Sequence, residues 1–560
     1  MKRLLLPVVL GTFSAIAQQQ EGLTITGNVE STFQYLNEDT LIGAVQPAEK
    51  AVLNNYALVN LTYKGFRAGT RFESYLPHLL GYPDRYSGSG IGYRYAGYST
   101  EQLDFTVGNF YEQFGSGMLF RSYEQRQLGV DNAMDGLNIR FRPTPGVEFK
   151  AVYGKMRYSF TDGRLIDSDG IVRGFDATID FNNFYNLLAD SKFKLALGGS
   201  FVSKYQKATN PQYIMPQNVG SYGGRIEMKY SRFFFNAEYV IKENDPSSDN
   251  GYIYNNGHGL YANVGYTQKG LGIILYAKSI DNMSYRTDPN ASLTDLNINF
   301  LPALTKSHTE NLEATLYPYT TQPQGEVAYQ ADIFYKIPKE TRLGGKYGTE
   351  ININFATSYR PVRHTSGVDL ADSSRVLYKT NLFDKSDSLF YRDFNIEIKR
   401  TLNKRWKVGA KYFHFDFNNS VTTVSKDAHG MVNCHIAVLD VQFKINKKHS
   451  IRTELQGLWT KTETIGGVDI KQDKGDWATF LVEYNISPKF YFAVMDQYNY
   501  GNPVESRRVH YLIGTAGYIF GASRISILYG KQREGIFCIG GVCRTVPATN
   551  GLTITFTTSF

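Results

Sequence analysis

The chain alternates. Segments of about ten residues carry charged or amide side chains on one face and aliphatic or aromatic ones on the other, the pattern of strands that divide a wet space from an apolar one. Asp440, Gln442 and Lys444 oppose Leu439, Val441, Phe443 and Ile445. Arg452, Glu454 and Gln456 oppose Ile451, Leu455 and Trp459, while Asn352, Asn354 and Ser358 oppose Ile351, Ile353, Phe355 and Tyr359. A soluble barrel hides its aliphatic face inside and shows its charges to water. Aliphatic faces throughout a chain of this length, paired with charged ones, fit the inverse arrangement: apolar outside and polar inside.

Helical alternatives fail on composition. No run after residue 20 approaches the roughly 18 to 20 apolar residues of a membrane helix. Hydrophobic residues make up 42% and aromatic ones 14% of the 560 residues, too many for a disordered chain. The formal charge of +8, from 60 Lys and Arg against 52 Asp and Glu, is spread without basic blocks. Nucleic acid is therefore not an expected partner.

Turn formers set the rhythm. Short turns are predicted at Lys64-Gly65, Ser99 to Glu101, Pro143 to Gly146, Ser231-Arg232, Gln268 to Gly270, Asn403-Lys404, Asn446 to Lys448, Ser487 to Lys489 and Gly521 to Ser523, with weaker signals near Asn183 and Gly344-Gly345. Eleven short turns with both chain ends on one side give an all-β, antiparallel transmembrane barrel of about 24 strands, within a range of 22 to 26. Long gaps alternate with these turns, among them 37–53, 111–135, 156–172, 280–325 and 533–550, and are expected to face outward as extracellular loops. The largest, Ile280 to Gly325, holds four prolines and little periodicity, so it is expected to be a surface loop or a lid folded into the lumen. Tyr63, Phe66, Tyr230, Phe233, Tyr266, Trp406 and Phe490 flank the short turns, where an aromatic girdle at the periplasmic interface is expected.

The two ends carry an address. Lys2 and Arg3, the apolar stretch Leu4 to Phe13 and Ala15-Ile16-Ala17 have the layout of a cleaved signal peptide over residues 1–17, leaving 18–560 as a single barrel domain. The first strand is expected to start near Gly22, which leaves no room for an N-terminal plug or periplasmic module. At the other end Leu552, Ile554, Phe556 and Phe560 share one face against Thr553, Thr555, Thr557 and Ser559. A strand closing on a terminal aromatic resembles the recognition signal of bacterial outer-membrane barrels. Outer-membrane lipids, and the barrel-assembly machinery during biogenesis, are the partners this implies.

A barrel of this size encloses a lumen wide enough to breach a membrane, since diameter grows with strand number, so loops, side chains or a partner must narrow it. The segment from Tyr111 to Gly136 offers Glu112, Arg121, Glu124, Arg126, Asp131 and Asp135, and the next strand adds Arg140 and Arg142. Acidic and basic groups facing one another across a lumen would sort solutes by charge, making these eight a candidate constriction. The alternative is a solvated surface loop.

Cys538 and Cys543, in Cys-Ile-Gly-Gly-Val-Cys, form a candidate disulfide, because Gly540-Gly541 permits the required reversal and export leads to an oxidising compartment. Cys434 stands without a partner. Its neighbours His429 and His435 do not complete a metal set, so neither metal nor cofactor is expected. No H-x-x-x-H or G-x-S-x-G motif occurs, and no enzymatic activity is expected.

GKQREGIFCIGGVCRTVPATNGLTITFTTSF at the C-terminus, VGNFYEQFGSGMLFRSYEQR and LGVDNAMDG resemble a large outer-membrane β-barrel family of Bacteroidota known by a domain-of-unknown-function label. That resemblance implies location and fold, and no catalytic residue. Two functional readings stand: a loop-constricted channel or transporter for polar or charged solutes, or a non-conducting barrel subunit of an export, assembly or surface-anchoring complex that binds other outer-membrane proteins.

Overall fold

The structure, a computed structural model, describes residues 22–185, 187–188, 190–207, 212–306, 308, 313–365, 377–422, 430–539 and 542–560. The signal-peptide expectation for residues 1–17 lies outside them. The polypeptide forms one antiparallel sheet of 24 strands that closes on itself. In chain order the first eight strands are β1 (Leu23–Asn37), β2 (Ala51–Tyr63), β3 (Phe66–Tyr75), β4 (Gly88–Ser99), β5 (Leu103–Phe110), β6 (Met134–Phe141), β7 (Val147–Thr161) and β8 (Arg164–Asp180). Next come β9 (Phe193–Tyr205), β10 (Asn218–Tyr230), β11 (Phe233–Lys242), β12 (Gly257–Gln268), β13 (Leu271–Asp281), β14 (Glu326–Ile337), β15 (Thr349–Pro361) and β16 (Lys385–Thr401). The last are β17 (Trp406–Asn418), β18 (Met431–Lys444), β19 (His449–Thr460), β20 (Trp477–Ile486), β21 (Phe490–Tyr498), β22 (His510–Phe520), β23 (Ser523–Gln532) and β24 (Thr549–Ser559).

Each strand pairs with its sequence neighbours, and β24 returns to β1 in register from Asn28 opposite Ser559 to Asn37 opposite Asn550. Closure leaves no free sheet edge, which is what allows strands to cross a bilayer with their backbone groups satisfied. The terminal ring seals the seam: Phe560 exchanges backbone hydrogen bonds with Gly27 at 2.9 and 3.0 Å, and its ring lies where a side chain on Gly27 would be.

Alternation does the sorting between faces. Phe480, Phe492, Val494, Leu512 and Tyr529 stand on the exterior, while Thr479, Glu483 and Gln497 turn inward from the same strands. The expected girdle is present beside the short turns as cross-strand ring pairs: Phe66 with Tyr98 and Phe233 with Tyr266 tilted, Trp406 on Phe443 and Phe490 on Tyr518 stacked, with ring centroids 4.3 to 4.8 Å apart.

All eleven short turns fall between paired strands. One long gap does not exist as predicted. Residues 156–172, expected as a loop, continue β7 and β8 as a ribbon that reverses at Asp162-Gly163, with register shifts around Arg157, and hydrogen-bonds back onto Arg85 and Ser87. Both turn residues have positive φ, and the polar run Arg157, Ser159, Thr161 and Arg164 masked a strand that has left the apolar medium. Smaller hairpins add to the long-loop end, at Thr462–Ile465 with Val468–Lys471 and at Gly535–Ile539 with Val542–Val546.

Candidate functional site in the barrel lumen

Two long connections turn inward. Residues 111–133 leave β5 and touch walls far apart around the barrel: Arg126 reaches Glu30 on β1, Lys150 on β7 reaches Glu112, and Ser116 N–H donates to Glu238 on β11 at 2.8 Å. Only a segment inside the lumen can meet all three. Its seat is apolar, with Phe114, Met118 and Phe120 fully buried against Val152, Val172, Val202 and Val240. Burial of these groups, at roughly 1.5 to 3 kcal/mol for each large side chain, holds the segment against the wall.

The second connection, 282–325, crosses to the other side. Its first part pairs with the first segment: Arg121 N–H donates to Ile298 O at 2.8 Å and Phe300 N–H to Gly117 O at 2.9 Å. Its later part buries Ala314, Tyr317 and Tyr319 among Tyr391, Phe415, Phe417, Leu458 and Trp477. Three fully buried lysines on the inner wall fasten it by its backbone. Lys204 donates to Arg286 O at 2.7 Å, Lys242 to Ser284 O at 2.5 Å, and Lys278 to Pro302 O at 2.6 Å. Their charges are met by Asp245, 2.7 Å from Lys204 and 3.9 Å from Lys242, and by Glu326, 2.8 Å from Lys278.

Seven of the eight residues expected at a constriction are lumenal or at its rim, most of them in local ion pairs instead of facing rows; Asp135 is not, because alternation along β6 puts it on the outer face with Leu137, which pairs with exposed Val107. Glu124, Arg126 and Asp131 come together. Asp131 bridges Arg71 at 2.7 Å and Arg157 at 2.9 Å, Glu124 accepts from Arg126 at 2.9 Å, and Arg126 also meets Glu30 at 3.0 Å. Arg71 and Arg157 share buried Glu73, which also accepts from Tyr75. Deleting one partner from such a network costs about 3 to 5 kcal/mol, because the others stay buried and uncompensated. Burial and the nearby Asp131 push the Glu124 carboxyl up.

Glu112 and Arg140 form a second group, 2.9 Å apart, with Lys150 at 3.2 Å from Glu112. Against the cost of burial, Lys150 and Arg140 hold the Glu112 carboxyl below its usual range. Asp135 pairs separately with Arg94, and Arg142 sits at the short-turn rim on Glu148 at 2.7 Å. Arg121 lies over the rings of Tyr123 and Phe300, and burial lowers its guanidinium pKa. Sequence reading missed Arg71, Glu73 and Arg157. The i, i+2 spacing of Arg71 and Glu73 marks one strand face, but nothing local joins them to Arg157.

Two cavities lined by described residues lie between the loops and the wall. The first, of about 650 Å³, runs from Leu79, Leu80 and Tyr82 past Arg126, Gln127 and Arg533 to Leu481, along β1, β2 and β20 to β24. The second, of about 780 Å³, runs from Leu481 along Arg452, Glu454 and Glu483 to Lys336, Tyr347 and Arg400 at the short-turn end. Leu481 lines both, so they follow one side of the lumen from end to end. Of the eight expected residues, Arg126 alone lines either cavity. The second carries six cationic side chains, Lys336, Lys399, Arg400, Lys407, Lys411 and Arg452, against four carboxylates, Glu350, Asp440, Glu454 and Glu483.

Residues 1–560 match the family of unknown function DUF6029. The chain belongs to this family. A comparison with curated proteins gave no match. Solved structures similar to this DUF6029 chain include the siderophore receptor PirA from Pseudomonas aeruginosa, at TM-score 0.38 and 10% identity over 96% of this chain and 80% of that one. The outer membrane protein OpdK from the same organism scores 0.30 at 10% identity over 74% and 97%. The P pilus usher PapC translocation pore scores 0.35 at 7% identity over 96% and 99%. Likenesses of this size carry no functional assignment.

Cys434 is buried among the apolar residues seating the second connection. His435, the next residue along β18, turns the other way, to the Tyr412 hydroxyl at 2.7 Å. His429 lies outside the described residues. Backbone pairing sets Cys538 directly opposite Cys543 in the hairpin of Gly535–Ile539 and Val542–Val546, while their side chains lie outside the described part of the chain. Leu552, Ile554 and Phe556 pair in register with Tyr529, Ile527 and Ile525 of β23.

Proposed function

We propose that this chain is an outer-membrane barrel with its long loops outside the cell, and that it passes small charged or polar solutes along the narrow path left beside its lumenal loops. One observation carries it: the two cavities share Leu481 and follow the lumen from the long-loop end to the short-turn end. The excess of cationic over anionic groups along the second cavity favours anions, because a low-dielectric lumen focuses the field of its fixed charges. Recording purified protein in a planar bilayer should give small, stable, anion-favouring steps. Converting Arg126 to Gln should shift the reversal potential in a salt gradient toward cations.

A second reading has its own observation. Three buried lysines fasten residues 282–325 by the backbone, as suits a permanently filled barrel serving as a fixed subunit of a larger complex. A barrel that inserts and stays silent over a wide voltage range favours this subunit role. We also propose a Cys538–Cys543 disulfide, which thiol alkylation before and after reduction would reveal as a mass difference.

A further inference from the structure

The inner wall of a transmembrane barrel is ordinarily polar. Over β20 to β23 it carries an apolar patch among its polar residues. Leu481 on β20 pairs directly with Met495 on β21, and Met495 with Ile513 on β22, so three apolar side chains lie side by side on the lumenal face at one level. Leu528 on β23 and Ala493 on β21, both paired with Thr515, continue the patch toward the short-turn end. All five line the first cavity. The loops that cover other apolar wall positions leave these facing open space.

The same cavity holds two guanidinium groups: Arg126, which pairs with Glu30 and Glu124, and Arg533; Glu30 is the one carboxylate among its described lining residues. Arg533 donates to Thr315 Oγ1 at 2.9 Å, which holds its guanidinium at the cavity margin. Two buried amides lining the cavity, Asn54 and Gln497, have side-chain nitrogens without a hydrogen-bond acceptor, although the Asn54 oxygen takes the N–H of Leu79 at 3.0 Å. An aliphatic wall facing cations and spare amide donors is complementary to one kind of molecule. A plain inorganic anion leaves the stripe unused, and a neutral apolar molecule leaves the donors unpaired.

Resting on the solute path read above, we propose that this cavity is a binding site for amphipathic organic anions, with the apolar body on Leu481, Met495 and Ile513 and the carboxylate toward Arg126 and Arg533. Its volume of about 650 Å³ suits a body of one ring or a short alkyl chain. Leu481 of the stripe also lines the second cavity, so a molecule seated there lies on the path read above.

The test is calorimetric titration of the full chain in lipid nanodiscs with four matched probes: 3-phenylpropionate, 3-phenylpropanol, 3-phenylpropylammonium and propionate. The expected result is saturable binding of phenylpropionate, at least about tenfold tighter than each of the others, a margin of about 1.4 kcal/mol. Met495→Asn should weaken phenylpropionate about tenfold or more by removing apolar contact from the stripe. Arg126→Gln should narrow its advantage over phenylpropanol, with barrel integrity for both variants checked by strand content in circular dichroism. Equal binding of carboxylate and ammonium, no saturable binding, or binding untouched by both variants would overturn the site. Conductance is read separately: binding without conductance sinks the channel reading and leaves the site, whereas conductance without binding does the reverse.

Discussion

Glu313 is the residue most exposed to a change of pH. It sits in the second lumenal connection, buried on the wall of β19 and β20, where its carboxylate accepts from the Thr479 hydroxyl and its N–H donates to Gln456 at 3.1 Å. Burial raises its carboxyl from 4.5 to about 7, against the pull of Thr479 and of Arg533, the cation acting on it. A carboxyl raised in the docked state keeps its proton more readily there than in water. Its contribution to docking is therefore complete below about 4.5 and is lost as pH rises through about 7. Hydrogen-exchange protection of the backbone around Glu313 to Tyr317 should fall by roughly one to two orders of magnitude between about pH 5 and pH 8. In Glu313→Gln it should stay flat, and equal pH dependence in both proteins would contradict the assignment. None of this was legible in the sequence: Glu313 lies in a stretch without periodicity, and its burial depends on strands more than a hundred residues downstream.

At the scale of the element, the lumenal connections decide how open the barrel is. Residues 282–325 span the lumen from the lysines of β9, β11 and β13 to the aromatic seat on β16 to β20. Replacing residues 286–320 by a short Gly-Ser linker should leave the wall intact, because every strand pairs with its neighbours independently of this loop. It should raise single-channel conductance severalfold and flatten the ion preference, and unchanged conductance would show that the open path lies elsewhere. Strands and turns were readable because alternation and turn chemistry are local, and each of the eleven short turns carries its own Gly, Pro, Asn or Ser signal. The ribbon at 156–172 was not, since its buried face packs on distant parts of the chain, Phe160 on Tyr75 and Tyr86, and Arg157 and Ser159 are buried there too, so it shows no regular apolar alternation. Loop direction was unreadable for a related reason. Phe114, Met118 and Phe120 resemble any apolar loop residues until the valines of β7, β8, β9 and β11 are placed beneath them.

For the whole molecule, closure at the β1–β24 seam is the condition on which everything else depends. At Gly27 a Cβ would stand 2.4 Å from the Phe560 ring, so Gly27→Leu must displace either that ring or the backbone pairing beneath it. The variant should unfold at visibly lower temperature than the parent on heat-modifiability gels, and a partner truncation, Phe560→Ala, should restore part of the loss by making room. No recovery in the double variant would show that the seam tolerates neither change. The lumenal loop adds a requirement of its own. Its first half docks on β9 to β13, which precede it in the chain, whereas Glu313, Tyr317 and Tyr319 need β16 to β20, which follow it. The contacts that shut the lumen therefore presuppose a wall in which strands from both sides of the barrel already stand in place.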